Sequence, residues 1–299
     1  MRSGSRASSF AMLAVSVGLA LGVGCGSSSE TVTPTCGLGR SRTLIITELG
    51  FTREGPKGVA PGFNLDGVVS DGTTQESCGK KDLVDPDGVA GIDNQLALLV
   101  PEIEKRVGGT VDGLIQGAIN DGRLLILFDF HGVEDLKNAA CVSLDVSLGD
   151  GRPTLGTDGI MEAFQTFSPR MQNQQLSHAT LGKISNKTLE IGPFPLAIPI
   201  AIFDVSFILK MREAHLRFTI DDEGNVEGLL GGSVSVDEIA DGVKNGAGVA
   251  DVVAQIRSIG NLFDDRGYDP AEGTCHLLSA ALHFKARPAF LRAAATKAP

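Results

Sequence analysis

The chain has 299 residues, 26 Lys and Arg against 36 Asp and Glu, and a formal charge of −10. Phosphate backbones and anionic lipids are bound by basic surfaces, so this balance argues against nucleic acid and against electrostatic docking on a membrane. Tryptophan is absent and Tyr268 is the single tyrosine, which removes the exposed aromatic platforms that sugar and single-strand readers stack on. Hydrophobic residues make up 42% of the chain, enough for one large core. Glycine stands at 38 residues against a usual share of about 7%, which reads as many turns.

In chain order the first feature is an address. Arg2 and Arg6 precede an uncharged stretch from Phe10 to Val23, and Leu21, Gly22, Val23 and Gly24 lead up to Cys25. A positive start, a short apolar run and small residues are the layout of an export signal, and the run is shorter than the ~18 residues a permanent anchor helix needs. The segment resembles the signal of bacterial lipoproteins processed by signal peptidase II, although Leu21 stands one place further from the cysteine than is usual. The resemblance implies that Cys25 becomes the mature N-terminus, carrying diacylglycerol and an N-acyl chain such as palmitate. With Gly26 and Ser27 following, it implies an outer-membrane address. Ordinary secretion, with cleavage near Gly22, is the alternative. Residues 1–24 are then the signal peptide, and 25–35, including "SSSETVTPT", a flexible tether.

A single domain is expected from 36 to 290, with a tail at 291–299. "TLIITELGF" (Thr43 to Phe51) reads as a strand. The acidic stretch from Asn64 to Asn94 holds Asp85-Pro-Asp87-Gly88 and then Asp93. Calcium takes several carboxylate oxygens on a turning loop, so Asp85, Asp87 and Asp93 are candidate ligands. The spacing fails the EF-hand template, and the other reading is solvated Asp-Gly turns with Asp93 capping the next helix. Helical spacing follows from Asn94 and again from Val111 to Ile119, divided at Gly108-Gly109.

"RLLILFDFHG" and "CVSLDVSL" alternate as two antiparallel neighbours, with Val142, Leu144, Val146 and Leu148 on one face. "HATLGKI" is another strand. The longest apolar run, Phe194 to Met211, switches parity and is expected to be one strand bulged near Ile202, with Pro193, Pro195 and Pro199 marking an edge. A hairpin turn falls at Asp222 to Asn225. Ser235 with Glu238 forms a capping box, and Val249 to Leu262 is amphipathic. "HLLSAALHF" (His276 to Phe284) suits either strand or helix. The grouping argues for an α+β domain, a mainly antiparallel sheet packed against a few amphipathic helices.

Setting Cys25 aside leaves Cys36, Cys78, Cys141 and Cys275, an even set in a compartment that permits disulfides. Two bridges have three connectivities, of which Cys36 with Cys275 and Cys78 with Cys141 is the expected one. The spacings hold no C-x-x-C pair, the five histidines no ligand motif, and "GGSVS" around Ser233 departs from a nucleophile elbow. The reading is therefore a non-enzymatic binding or structural module of the cell envelope, held to the membrane by its N-terminal lipid and meeting a hydrophobic small molecule or an envelope protein. A cavity lined by Ile200, Phe203 and Phe207 would take the apolar ligand. An envelope hydrolase assembled from sequence-distant residues is the alternative.

Overall fold

The computed structural model describes residue 36 and residues 39–107, 110–170, 176–202, 205–242, 254 and 257–292. The chain divides into two units after Pro34. The signal, Cys25 and the tether lie outside the described residues, as does half of Val249 to Leu262. Within Thr35–Pro299 the elements run β1 (Arg42–Phe51), β2 (Leu83–Val84), β3 (Ala90–Ile92), α1 (Leu96–Val107), α2 (Val111–Asn120), β4 (Ile126–His131) and β5 (Ala139–Asp150). Then come β6 (Thr166–Pro169), β7 (Ser177–Ser185), β8 (Thr188–Ile202), β9 (Val205–Ile220), β10 (Val226–Val234), α3 (Val236–Gly242), β11 (Arg266–Asp269) and β12 (Thr274–Leu291).

The pairings overturn the α+β expectation. β1, β4, β5, β7, β8, β9, β10 and β12 each pair antiparallel with the next, and β12 returns to β1. The ring is an eight-stranded closed up-and-down barrel. Apolar/polar alternation in a strand is the same whether a sheet stays open or closes, which is why the local pattern pointed to helices as the cover. Here the sheet covers itself, and β6 and β11 add to its outside.

Alternation decides which face is inside. Leu144, Val146 and Leu148 are buried while Asp145 and Ser147 between them are half-exposed. Leu196 and Ile198 are buried, and Lys183, Glu190 and Arg212 on the outer wall are exposed. A barrel in contact with lipid carries its apolar residues outward; this one turns them inward. β1 holds the pattern through a register shift between Ile46 and Glu48, which leaves Leu44 and Ile46 before it, and Leu49 and Phe51 after it, on one face.

Eight strands enclose a space that side chains can just fill. Here the filling is a layer of four phenylalanines with edge-to-face contacts. Phe128 meets Phe284 at 5.7 Å between centroids, Phe130 meets Phe218 at 5.4 Å, and Phe218 meets Phe284 at 6.1 Å. Gly228 pairs with Phe218 on one side and Phe284 on the other. A Cβ on Gly228 would lie 2.4 Å from the Phe218 Cβ, so the layer needs a residue without a side chain at this position.

One end of the barrel is plugged. α2 packs against both β1 and β8, which lie opposite each other in the ring, and buries Ile115, Ala118 and Ile119. Its Asp112 accepts the Phe51 N–H at 2.9 Å and an Arg53 Nη1 bond at 2.6 Å. Arg53 also donates to both oxygens of Glu104 on α1, at 2.6 and 3.2 Å. The guanidinium holds the Glu104 carboxyl below its usual range and ties both helices to the end of β1.

The long run Phe194 to Met211 is not one bulged strand. β8 and β9 are a hairpin whose last pair is Ile202 with Val205, so the parity switch was the turn itself. The prolines do mark a single-sided stretch: the β7 ladder ends at Lys183 with Glu190, while the β9 ladder continues. Ala-rich β12 is a strand because β1 and β10 hold it from both sides, and tertiary pairing outweighs its helix propensity.

The bridges pair Cys36 with Cys141 and Cys78 with Cys275, at Cα separations of 5.1 and 6.0 Å. This corrects the expected connectivity. β12 does neighbour β1, but antiparallel, with Phe51 opposite Leu282 and Thr43 opposite Ala289. Cys275 therefore lies beyond the far end of β1 from Cys36.

Truncating Phe284 to Ala removes the ring that touches both Phe128 and Phe218 and is expected to lower stability by about 3–5 kcal/mol. Gly228→Val should unfold the protein at lower urea through overpacking. Urea titration followed by circular dichroism checks both; midpoints equal to wild type would contradict the layer.

Candidate functional site

Opposite the plug the barrel opens. The first residues of β1, β8 and β10 and the last of β4, β7 and β9 surround an apolar cavity of about 130 Å³. Leu44, Ile184, Leu189, Ile220 and Val226 form its wall, and Phe130 and Phe218 line it too. These two rings belong to the phenylalanine layer, so the layer is the floor of the cavity. The rim is polar, with Arg42, Asp222 and Glu223.

The β9–β10 turn shapes one side of the rim. Asp221 accepts the Asn225 N–H at 2.7 Å and its Nδ2 at 2.9 Å, and Gly224 takes φ +85°. Lys187 donates to Asp222 and holds that carboxyl below its usual range. Phe164 closes another side, its N–H donating to the Pro288 carbonyl at 2.6 Å. A firm rim around an apolar hollow suits the insertion of one apolar group from outside.

The residues named from sequence fall elsewhere. Ile200 is buried near the β8–β9 turn, at the plugged end; Phe203 and the Phe207 side chain lie outside the described residues. Asp85 accepts the Asp87 N–H at 2.9 Å in the β2–β3 turn, and the two line an open groove of about 440 Å³ with Arg217 and Glu227. Asp93 is apart from them, buried, accepting the N–H groups of Leu65 at 2.6 Å and Asp66 at 3.3 Å. Among the described residues the grouping close enough to share an ion is Asp269, Glu272 and His276. Glu272 and His276 already pair there at 3.2 Å.

Two polar clusters have no signature in the sequence. On the outer wall Thr43, Asp129, Asp145 and His178 face one another across four strands. His131 joins them: Ser41 Oγ is 2.8 Å from its Nδ1, and Asp145 Oδ2 is 3.1 Å from its Nε2. His178 Nδ1 lies 2.6 Å from the other Asp145 oxygen. Cross-strand polar pairing accounts for the row, and the order Ser, His, Asp is also that of a hydrolytic triad.

The second cluster joins the 52–95 segment to the barrel. Asp265 accepts the Ser279 N–H at 2.7 Å and its hydroxyl at 2.6 Å, and Ser279 Oγ accepts the Gln95 N–H at 2.8 Å. Arg266 pairs with Asp66 at 3.1 Å. Burial pushes the Asp265 carboxyl up to about 7, with Asp93 adding repulsion. Burial likewise pushes Asp93 up to about 7, with Asp66 and Asp82 adding to it.

Both carboxyls hold protons in the folded chain that the unfolded chain, with a carboxyl pKa of ~3.9, releases between pH ~4 and 7. Stability is therefore expected to fall as pH rises through that window and to level off above it. Thermal melts should give a higher Tm at pH 5 than at pH 8, and Asp265→Asn with Asp93→Asn should flatten the slope. A Tm that rises between pH 5 and 8 would contradict this. Compared with protein-family models, curated proteins and solved structures, the chain matches none.

Proposed function

We propose that the chain is a lipid-anchored, non-enzymatic binding module of the cell envelope, at the outer membrane, whose barrel takes a small apolar group into its mouth. The observation that carries the reading is the apolar cavity of about 130 Å³ above Phe130 and Phe218. It is close in size to a dry apolar cavity of about 150 Å³ that binds benzene. The ligand is thus an aromatic ring or a short alkyl end, with the remainder of its molecule at the polar rim. The Cys25 signal supports the anchor, and the two disulfides agree with an oxidising compartment.

The test uses an apolar fluorophore and one rim substitution. Leu136 lines the cavity from a connecting segment outside the strands, so Leu136→Trp fills the space without altering the barrel. Binding should weaken at least about tenfold, a loss of about 1.4 kcal/mol; unchanged affinity in a folded variant would sink the reading. The aligned Ser41, His131 and Asp145 favour a second reading, an envelope hydrolase. That reading requires a fluorophosphonate to label Ser41, whereas the binding module leaves Ser41 unlabelled.

A further inference from the structure

The mouth is also where the chain enters the barrel. Cys36 precedes β1 and is bridged to Cys141 near the start of β5, and both strand ends belong to the open end. Cys25 is eleven residues before Cys36, a reach of at most about 40 Å at ~3.6 Å per residue. The open end is therefore the one at which the chain leading from Cys25 joins the barrel.

At that end two phenylalanines face outward. Phe164 is 62% exposed and Phe290 54% exposed, with their ring centroids 6.3 Å apart. Phe164 takes φ +61°, a left-handed conformation that bulky side chains rarely adopt, and its backbone is fixed to Pro288. Phe290 is held by the Gln165 carbonyl at 2.8 Å and by the parallel β6 pairing. The backbone thus fixes a pair of aromatic rings in solvent beside an apolar hollow that Phe164 itself lines.

We propose that Phe164 and Phe290 form a membrane-docking edge that sets the barrel mouth down on the bilayer surface, so that the cavity takes its apolar group from lipid. This rests on the anchored reading above. The contact is apolar, as the acidic chain requires, and so is independent of anionic lipid. Two rings alone bind weakly; the anchor supplies the local concentration that makes such a contact persistent.

The absence of tryptophan makes the test clean. Phe164→Trp and, on the plugging helix, Leu114→Trp are each expressed as the full chain with its own leader and mixed with neutral phosphatidylcholine vesicles. Leu114 is 39% exposed, so the control replaces a surface residue. Emission of the Phe164→Trp protein should shift to the blue, and brominated lipid should quench it at least about threefold more than the Leu114→Trp protein, as a ring at the headgroup boundary requires. Phe290→Ala should reduce that quenching, and high salt should leave it in place. Equal quenching at both positions, a requirement for anionic lipid, or a blue shift in vesicle-free dimers would overturn the docking edge. Intact mass of the same samples reports the lipid on Cys25 separately. If that mass is missing the anchor reading fails, and saturating vesicles still decide between the two tryptophans.

Discussion

The structure depends on filling one narrow space. An eight-stranded ring leaves an interior that only side chains can occupy, and Phe128, Phe130, Phe218 and Phe284 occupy its middle with rings set edge to face. The geometry is possible because Gly228 keeps the wall between Phe218 and Phe284 bare. Everything else takes its place from this layer. On one side α2 and its buried isoleucines close the barrel; on the other, the same rings become the floor of the mouth. Site and core share Phe130 and Phe218.

The outside of the barrel is organised by charge and hydrogen bonds instead. Arg53 gathers Glu104 and Asp112 and so fixes the plug to the end of β1. The long 52–95 segment is laid over β9, β10 and β12 and held there by the Cys78–Cys275 bridge and by side-chain contacts. Phe63 lies against Gly231, where a Cβ would come within 2.4 Å of its ring, and Arg217 stacks over it at 5.2 Å. Asp265, Ser279 and Gln95 pin the other end through buried hydrogen bonds. Burying carboxylates this way keeps them protonated in part, and that links the attachment of the segment to pH.

Most strands could be read along the chain because each alternates, and β4 with β5 could be paired because their link is short. Closure could not, since the contact between β1 and β12 joins residues more than two hundred apart and has no local mark. The same gap misdirected the cysteine pairing: with the β1–β12 register unread, nothing in the sequence placed Cys36 and Cys275 at opposite ends of the barrel. The run from Phe194 to Met211 carried a correct clue in its change of parity, but a strand reversal of two residues and a bulge look alike in sequence. Phe128 and Phe130 alternate with Asp129 and His131 along one strand, while Phe218, Gly228 and Phe284 become a site only when three strands meet. The triad-like order of Ser41, His131 and Asp145 is likewise a product of registers, invisible before they are known.

The central claim is a closed barrel whose phenylalanine layer is the floor of an apolar mouth. Diffraction from a crystal pressurised with xenon reports that arrangement directly, because xenon enters dry apolar cavities. One xenon site against Phe130 and Phe218 at the mouth is the expected result. No xenon at that site, or β1 and β12 apart in the crystal, would contradict it.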